Sequence, residues 1–201
     1  MKIGPKYKIA RRLGAPVFEK TQSQKYAISE SKKDPRRGKR RKQITDYGLQ
    51  MLEKQKARYS YLMTEKQFST IVKKSMKQKN PAESMFTDLE LRLDSIINRS
   101  GWGPSRSFCR QIISHGHIMV NGQRVTIPSY KVSEGDVISI KPSSLEKGVF
   151  ADLPDRMIET SAPTWIQVDM KKKELTLKSQ PKSDEVDLLF DINSVLEFYS
   201  R

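Results

Sequence analysis

Residues 105 to 140 read SRSFCRQIISHGHIMVNGQRVTIPSYKVSEGDVISI, and across Gly116 their apolar spacing changes from helical to strand-like. Phe108, Cys109, Ile112 and Ile113 fall at i, i+1, i+4 and i+5, one stripe of a helix. Ser105 supplies an N-cap hydroxyl, and Gly116 supplies the left-handed residue that commonly ends a helix. Ile118 and Val120 then alternate as in a strand. Asn121-Gly122 is the strongest short hairpin signal, and Ser133-Glu134-Gly135-Asp136 marks a second turn. Upstream, Thr87 and Glu90 have capping-box spacing beside Leu89, Leu93, Ile96 and Ile97. Two short amphipathic helices on a small sheet satisfy this pattern. Arg92, Arg99, Arg106, Arg110, Arg124 and Lys131 are then expected on the outer surface, with Arg106 and Arg110 sharing one flank. Asp94 is read as a surface helix residue.

Charge says what such a surface would meet. The 201 residues carry 38 Lys and Arg against 23 Asp and Glu, a net charge of +15 that points to a polyanionic partner. The excess is uneven. Residues 1–42 hold 15 basic and 3 acidic side chains, whereas residues 142–201 hold 8 and 11. A merely solvated globule has no reason to gather its excess at one end, so the N-terminal segment reads as the electrostatic footprint. Within it, Arg36, Arg37, Lys39, Arg40, Arg41 and Lys42 put six cations in seven residues. Such a run repels itself and is expected to order on RNA. A solvated basic tail is the competing reading. Lys8, Arg11 and Arg12 are interleaved with Tyr7 and Leu13, a more ordered arrangement.

Residues 44–79 read as helices. Thr45 can cap a segment whose apolar positions are Leu49, Leu52, Tyr59 and Leu62, leaving Lys54, Lys56 and Arg58 on other faces. Thr64 and Gln67 form a second capping box before Phe68, Ile71, Val72 and Met76. Toward the end, Trp165, Val168, Leu175 and Leu177 suggest two short strands around Lys171-Lys172-Lys173. Ile192, Val195, Leu196 and Tyr199 mark a final helical stripe. With 36% hydrophobic and 30% charged residues, the cores are expected to be modest for this length.

The stretch LELRLDSIINRSGWGPSRSFCRQIISHGHIMVNGQRVTIPSYKVSEGDVISIK resembles the S-four RNA-binding domain. IARRLG at 9–14, DYGLQMLEKQKARYSYLMTEKQF at 46–68 and EFYSR at 197–201 narrow the likeness to the bacterial-type small-subunit ribosomal protein S-four family. The resemblance implies an α+β chain: a basic extension (1–43), a helical domain (44–87, completed by 190–201) and the inserted S-four domain (88–141). Additional strands and loops over 142–189 would pack on that domain. It also implies a primary binder of small-subunit ribosomal RNA that nucleates assembly at a multi-helix junction of the 5′ domain. Neighbouring ribosomal proteins and the mRNA entry region would be its other partners, with an effect on translational accuracy. The family's proline-glycine-glutamine-histidine-glycine turn is replaced by KDPRRGKRRK, which leaves the path over 18–43 open.

The candidate RNA contacts follow. Arg106 and Arg110 come first, because a guanidinium on a fixed helix can hold phosphate by two hydrogen bonds. Arg124, Ser129, Tyr130 and Lys131 lie at the hairpin, where Tyr130 could equally pack on the sheet edge. Lys8, Arg11, Arg12 and the run Arg36, Arg37, Lys39, Arg40, Arg41, Lys42 form the N-terminal set. Tyr47, Lys54, Lys56 and Arg58 are further candidates, although a helix-surface lysine is as readily just solvated. His115 admits either an RNA contact or an interaction with the helix dipole. Exchanging Arg106 and Arg110 together for Ala is expected to weaken binding and leave the fold intact.

Catalysis finds no support. The chain has one Cys and two His; Cys109 lies on an apolar stripe, and His115 and His117 lack the spacing of a zinc site. Some members of the resembled family bind zinc through an N-terminal cysteine cluster that this chain lacks, so neither metal nor cofactor is expected. An RNA-modifying enzyme carrying the same module would need a larger catalytic domain than the residues after Lys141 provide. A stand-alone RNA-binding repressor would explain the charge but not the flanks. No apolar run reaches the roughly 18 residues of a membrane span, and the basic start leads into no signal-peptide core. One Cys suits a reducing cytoplasmic ribosome, with an organelle ribosome left open.

Overall fold

The structure is a computed structural model that describes residues 3–31, 44–145, 148–154, 156 and 161–200. The fold is α+β, and it divides into two compact units. One comprises the described residues of Met1–Ala82 and Asp187–Arg201; the other is Glu83–Val186.

In the first unit, α1 (Lys6–Leu13), α2 (Gln24–Ser31), α3 (Asp46–Ser60) and α4 (Glu65–Ser75) are local consequences of sequence. Thr45 accepts from the Gly48 N–H to start α3. Thr64 and Gln67 form the reciprocal cap of α4. Ala10 and Leu13 of α1 close over Val17 and Phe18, with Leu52, Tyr59 and Leu62 packed against them. The last helix, Ile192–Ser200, is capped by Asp191, whose carboxylate accepts from the Asn193 and Ser194 N–H groups. It packs on α3 and α4, which sets the inward face of α3 as Gln50, Lys54 and Ala57. This corrects the expected stripe at Leu49, whereas Leu52, Tyr59 and Leu62 do pack on the core. Leu49 is exposed and Lys54 buried, because the element covering that face comes from about 140 residues away.

The second unit contains most of α5 (Pro81–Glu90), with α6 (Leu93–Arg99), α7 (Arg106–Ser114) and a five-stranded sheet. Thr87 is not the expected cap. It lies inside α5, which starts at Pro81, a residue preorganised for a first helical position. The chain breaks at Leu91 and Arg92 because that stretch pairs with another: the Val132 N–H donates to Leu91 O, and Arg92 bridges to Lys131. No side chain caps α6. Its first N–H groups, on Leu93 and Asp94, donate instead to the carbonyls of Tyr130 and Pro128.

Helix α7 ends as its sequence predicts. Gly116 has φ 74°; its N–H reaches Ile113 O and that of His117 reaches Ile112 O, which together make a Schellman cap. The strands are β1 (Ile118–Val120), β2 (Gln123–Arg124), β3 (Val137–Ile140), β4 (Ile166–Asp169) and β5 (Glu174–Leu177). They lie in the order β2-β1-β3-β5-β4 with every pairing antiparallel. Asn121 and Gly122 both take positive φ at the β1–β2 turn. Leu89, Leu93, Ile96, Ile97, Cys109, Ile112 and Ile113 from the helices, Trp102 from the α6–α7 connection, and Ile118, Ile138, Trp165 and Leu175 from the sheet side are the buried core.

Gly116 yields a first expectation. A Cβ there would stand 2.0 Å from Arg124 Nε, and the left-handed backbone disfavours any side chain. Gly116→Ala should displace Arg124 and destabilise the unit by about 1–2 kcal/mol, read as a lower urea midpoint with unchanged slope.

Candidate nucleic-acid interface

The basic residues expected to coat the second unit are mostly turned onto acidic partners. Arg92 is buried, not exposed, and its Nε and Nη2 donate to the two oxygens of Asp94 at 3.0 and 2.8 Å. Asp94, also expected on the surface, is only 1% exposed, and it accepts a third hydrogen bond from Arg110 Nη1 at 2.5 Å. Arg99 forms a two-bonded pair with Glu90, which is fully buried. Arg106 donates to Ser95 Oγ at 2.6 Å, and Lys131 to Asp88 at 2.6 Å. Arg92, Arg99 and Arg110 share one physical reason: Asp94 and Glu90 are buried carboxylates, and a buried carboxylate must be paired. Exchanging Arg106 and Arg110 for Ala therefore also removes their hydrogen bonds to Ser95 and Asp94.

Even so, these cations remain within reach of solvent. The Arg110 side chain is 28% exposed and that of Lys131 is 57% exposed. Beside them the stretch from β2 to Lys131 is an exposed arc carrying Arg124, Ile127, Ser129 and Tyr130. Arg124 lies over Gly116 and donates to His115 O at 3.3 Å, so a cation sits at the C-terminal end of α7 where the dipole favours it. His115 is exposed, its ring against that of His117. Ser129 and Tyr130 present their side chains outward while their backbone segment holds the start of α6. Exposed Ile127 was missed by sequence reasoning.

In the first unit, Lys8 and Arg12 are one helical turn apart on the outer face of α1 and form no ion pair with a described residue. Arg11 leans over the Tyr26 ring and donates to Ser29 Oγ at 2.9 Å. Tyr26 stacks on Tyr7 with ring centroids 5.4 Å apart, an aromatic pair that sequence reasoning half saw, since it singled out only Tyr7. Tyr47 is half exposed and stacks on Phe198. Lys54 is the clear misplacement. Its Nζ donates to Glu65 at 2.8 Å and lies 4.5 Å from the Phe198 ring centre. Arg58 also reaches Glu65, at 3.3 Å, and Lys56 pairs with Glu53 at 2.6 Å. The run Arg36, Arg37, Lys39, Arg40, Arg41 and Lys42 lies outside the described residues.

The Glu65 cluster has a pH signature. Partial burial acts to raise its pKa, but hydrogen bonds from Lys54 and Tyr199 and the charges of Lys54 and Arg58 outweigh it, and the net shift is downward. Burial and the bond to Glu65 push the Tyr199 phenol upward. A depressed carboxylate stabilises the fold above its ordinary range, and that contribution is lost as pH falls through the folded value. Glu65→Gln should therefore be less stable than the parent at neutral pH, with the difference closing below about pH 4. Thermal unfolding of both proteins across an acid series reads this directly.

Cys109 is fully buried, and burial pushes its thiol up to about 12, the profile of an inert core residue. Among the described residues no group of three His, Cys, Asp or Glu side chains is placed to hold a metal ion. What the surface offers is cations on rigid elements, flanked by exposed aromatic and apolar side chains. That combination suits a phosphate backbone with unstacked bases.

Comparison with known proteins bears on both units. Residues 1–90 match the family described as ribosomal protein S4/S9 N-terminal domain, and residues 91–138 match the S4 domain. The small ribosomal subunit protein uS4 of Chromobacterium violaceum is 38% identical over 203 residues, covering 99% of this chain and 98% of that protein. The uS4B protein of Clostridium acetobutylicum is 40% identical, covering 99% and 97%. The small ribosomal subunit protein uS4 of Halothermothrix orenii is 38% identical, covering 98% of each.

Proposed function

The chain belongs to the small ribosomal subunit protein uS4 family, and from that premise we propose that it binds small-subunit ribosomal RNA directly and early, at a multi-helix junction of the 5′ domain. It is a structural constituent of the ribosome rather than an enzyme. On this reading Lys and Arg neutralise backbone phosphates, and the rigid second unit recognises shape at helix ends, bulges and 2′-hydroxyls. The observation that carries it is the basic face of α7 beside the exposed arc of Arg124, Ser129, Tyr130 and Lys131, with Arg110 held by the buried Asp94 and Lys131 by Asp88. Lys8, Arg11, Arg12 and the 36–42 run supply the second basic set. Tyr47 offers a stacking surface.

Holding such a junction would also place the chain near the mRNA entry region and neighbouring ribosomal proteins, and so bear on decoding accuracy. A cytoplasmic ribosome is the setting this implies. Co-sedimentation tests the assignment: a tagged chain expressed in a bacterium should travel with the small subunit and stay there through a high-salt wash. Its release into the soluble fraction by that wash would contradict integral incorporation.

A further inference from the structure

We propose that Asp94 is a positioning residue for RNA binding, whose buried carboxylate holds the Arg110 guanidinium by one edge and leaves its other donors presented to a phosphate. The inference rests on the reading that the α7 face binds RNA. Asp94 sits in the first turn of α6, its backbone N–H fixed on Pro128 O and its carboxylate held from behind by the two-bonded Arg92. At 1% exposure it cannot itself meet RNA. Arg110 gives it one hydrogen bond, from Nη1, and has no other hydrogen-bond partner among the described residues. The exposed part of Arg110 is thus a guanidinium with four of its five donors unspent and its orientation already fixed.

A carboxylate beneath a polyanion-binding face needs a reason. By charge alone it repels the ligand, and a neutral residue of the same size would serve better. Its benefit is preorganisation, since immobilising a long side chain on binding weakens association by about two- to tenfold. The two effects have opposite signs, which makes the role measurable.

The test is equilibrium binding of the full chain to the 5′ domain of small-subunit ribosomal RNA, across salt, at a temperature where circular dichroism shows each variant folded. Arg110→Ala should lower affinity by about tenfold or more. Asp94→Asn should lower it about two- to tenfold although it adds one unit of positive charge, and it should cause no further loss in the Arg110→Ala background. Arg110→Lys keeps the charge and leaves the Arg92–Asp94 pair intact. It carries the test should Asp94→Asn not fold, and it is expected to bind much like Arg110→Ala, because one ammonium cannot hold Asp94 and grip a phosphate as a fork does. A rise in affinity for Asp94→Asn, an equal fall in both backgrounds, or parental affinity for Arg110→Lys would overturn the positioning role. Parental affinity for Arg110→Ala would instead remove the α7 face from the proposed function, and this inference with it.

Discussion

Asp94→Ala is expected to lower the stability of its unit by about 3–5 kcal/mol, one of the largest losses available from a single substitution in this chain. The magnitude follows from what is left behind. Arg92, with a side chain 7% exposed, would keep its charge and lose the acceptor of both its hydrogen bonds. Arg110, at 28% exposure, can turn to water and contributes less to the loss. The methyl of Ala also leaves space where the carboxylate packed. Asp94→Asn retains the acceptor on Oδ1 and should cost distinctly less. Chemical unfolding of the two variants beside the parent checks the order: parent most stable, then Asn, then Ala. Equal stability of Ala and parent would show that the triad is not needed for the fold.

The second large effect falls on binding. Changing Arg36, Arg37, Lys39, Arg40, Arg41 and Lys42 together to Ser removes six cations and alters no residue of the described cores. If each neutralises one phosphate, the slope of log affinity against log salt should become shallower by about 4 to 5 units, at roughly 0.7–0.9 per contact. Affinity at physiological salt should fall by several powers of ten while the circular dichroism spectrum and unfolding midpoint stay at the parent's values. A slope unchanged by the six substitutions would make the run a solvated tail.

Where the determinants were local, the sequence was enough to read them. The caps at Thr45, Thr64 and Ser105, the glycine end of α7, the Asn121-Gly122 hairpin and the two late strands each depend on a few adjacent residues, and each is present. The errors share a different cause. Lys54 was placed outside because nothing near it announces a helix returning from residue 192 to cover it. Thr87 looked like a cap because the pairing that breaks the chain at Leu91 comes from residues 131 and 132. Arg92, Arg99 and Asp94 were put on the surface because a charged residue reads as exposed until its partner is known. Asp94 and Arg110 are 16 positions apart, and Glu90 and Arg99 nine, with no periodicity linking them. The candidate site was accordingly legible as a basic helix and hairpin, but its acidic underlayer was not.

That underlayer changes how the surface is understood. Arg106, Arg110, Arg124 and Lys131 are held by Ser95, Asp94, the His115 carbonyl and Asp88, so the cations are oriented before any ligand arrives. Fixed geometry favours a ligand whose phosphates are themselves fixed, such as a folded junction, over a flexible strand of equal charge.

The measurement that bears most directly on the central claim is equilibrium binding of the purified chain to the 5′ domain of small-subunit ribosomal RNA and to an equal mass of unrelated folded RNA, across a salt titration. Recognition of a folded junction predicts a preference of at least about 10³ for the 5′ domain that persists at physiological salt. Equal affinities released together by salt would contradict it, leaving the charge as a non-specific tether.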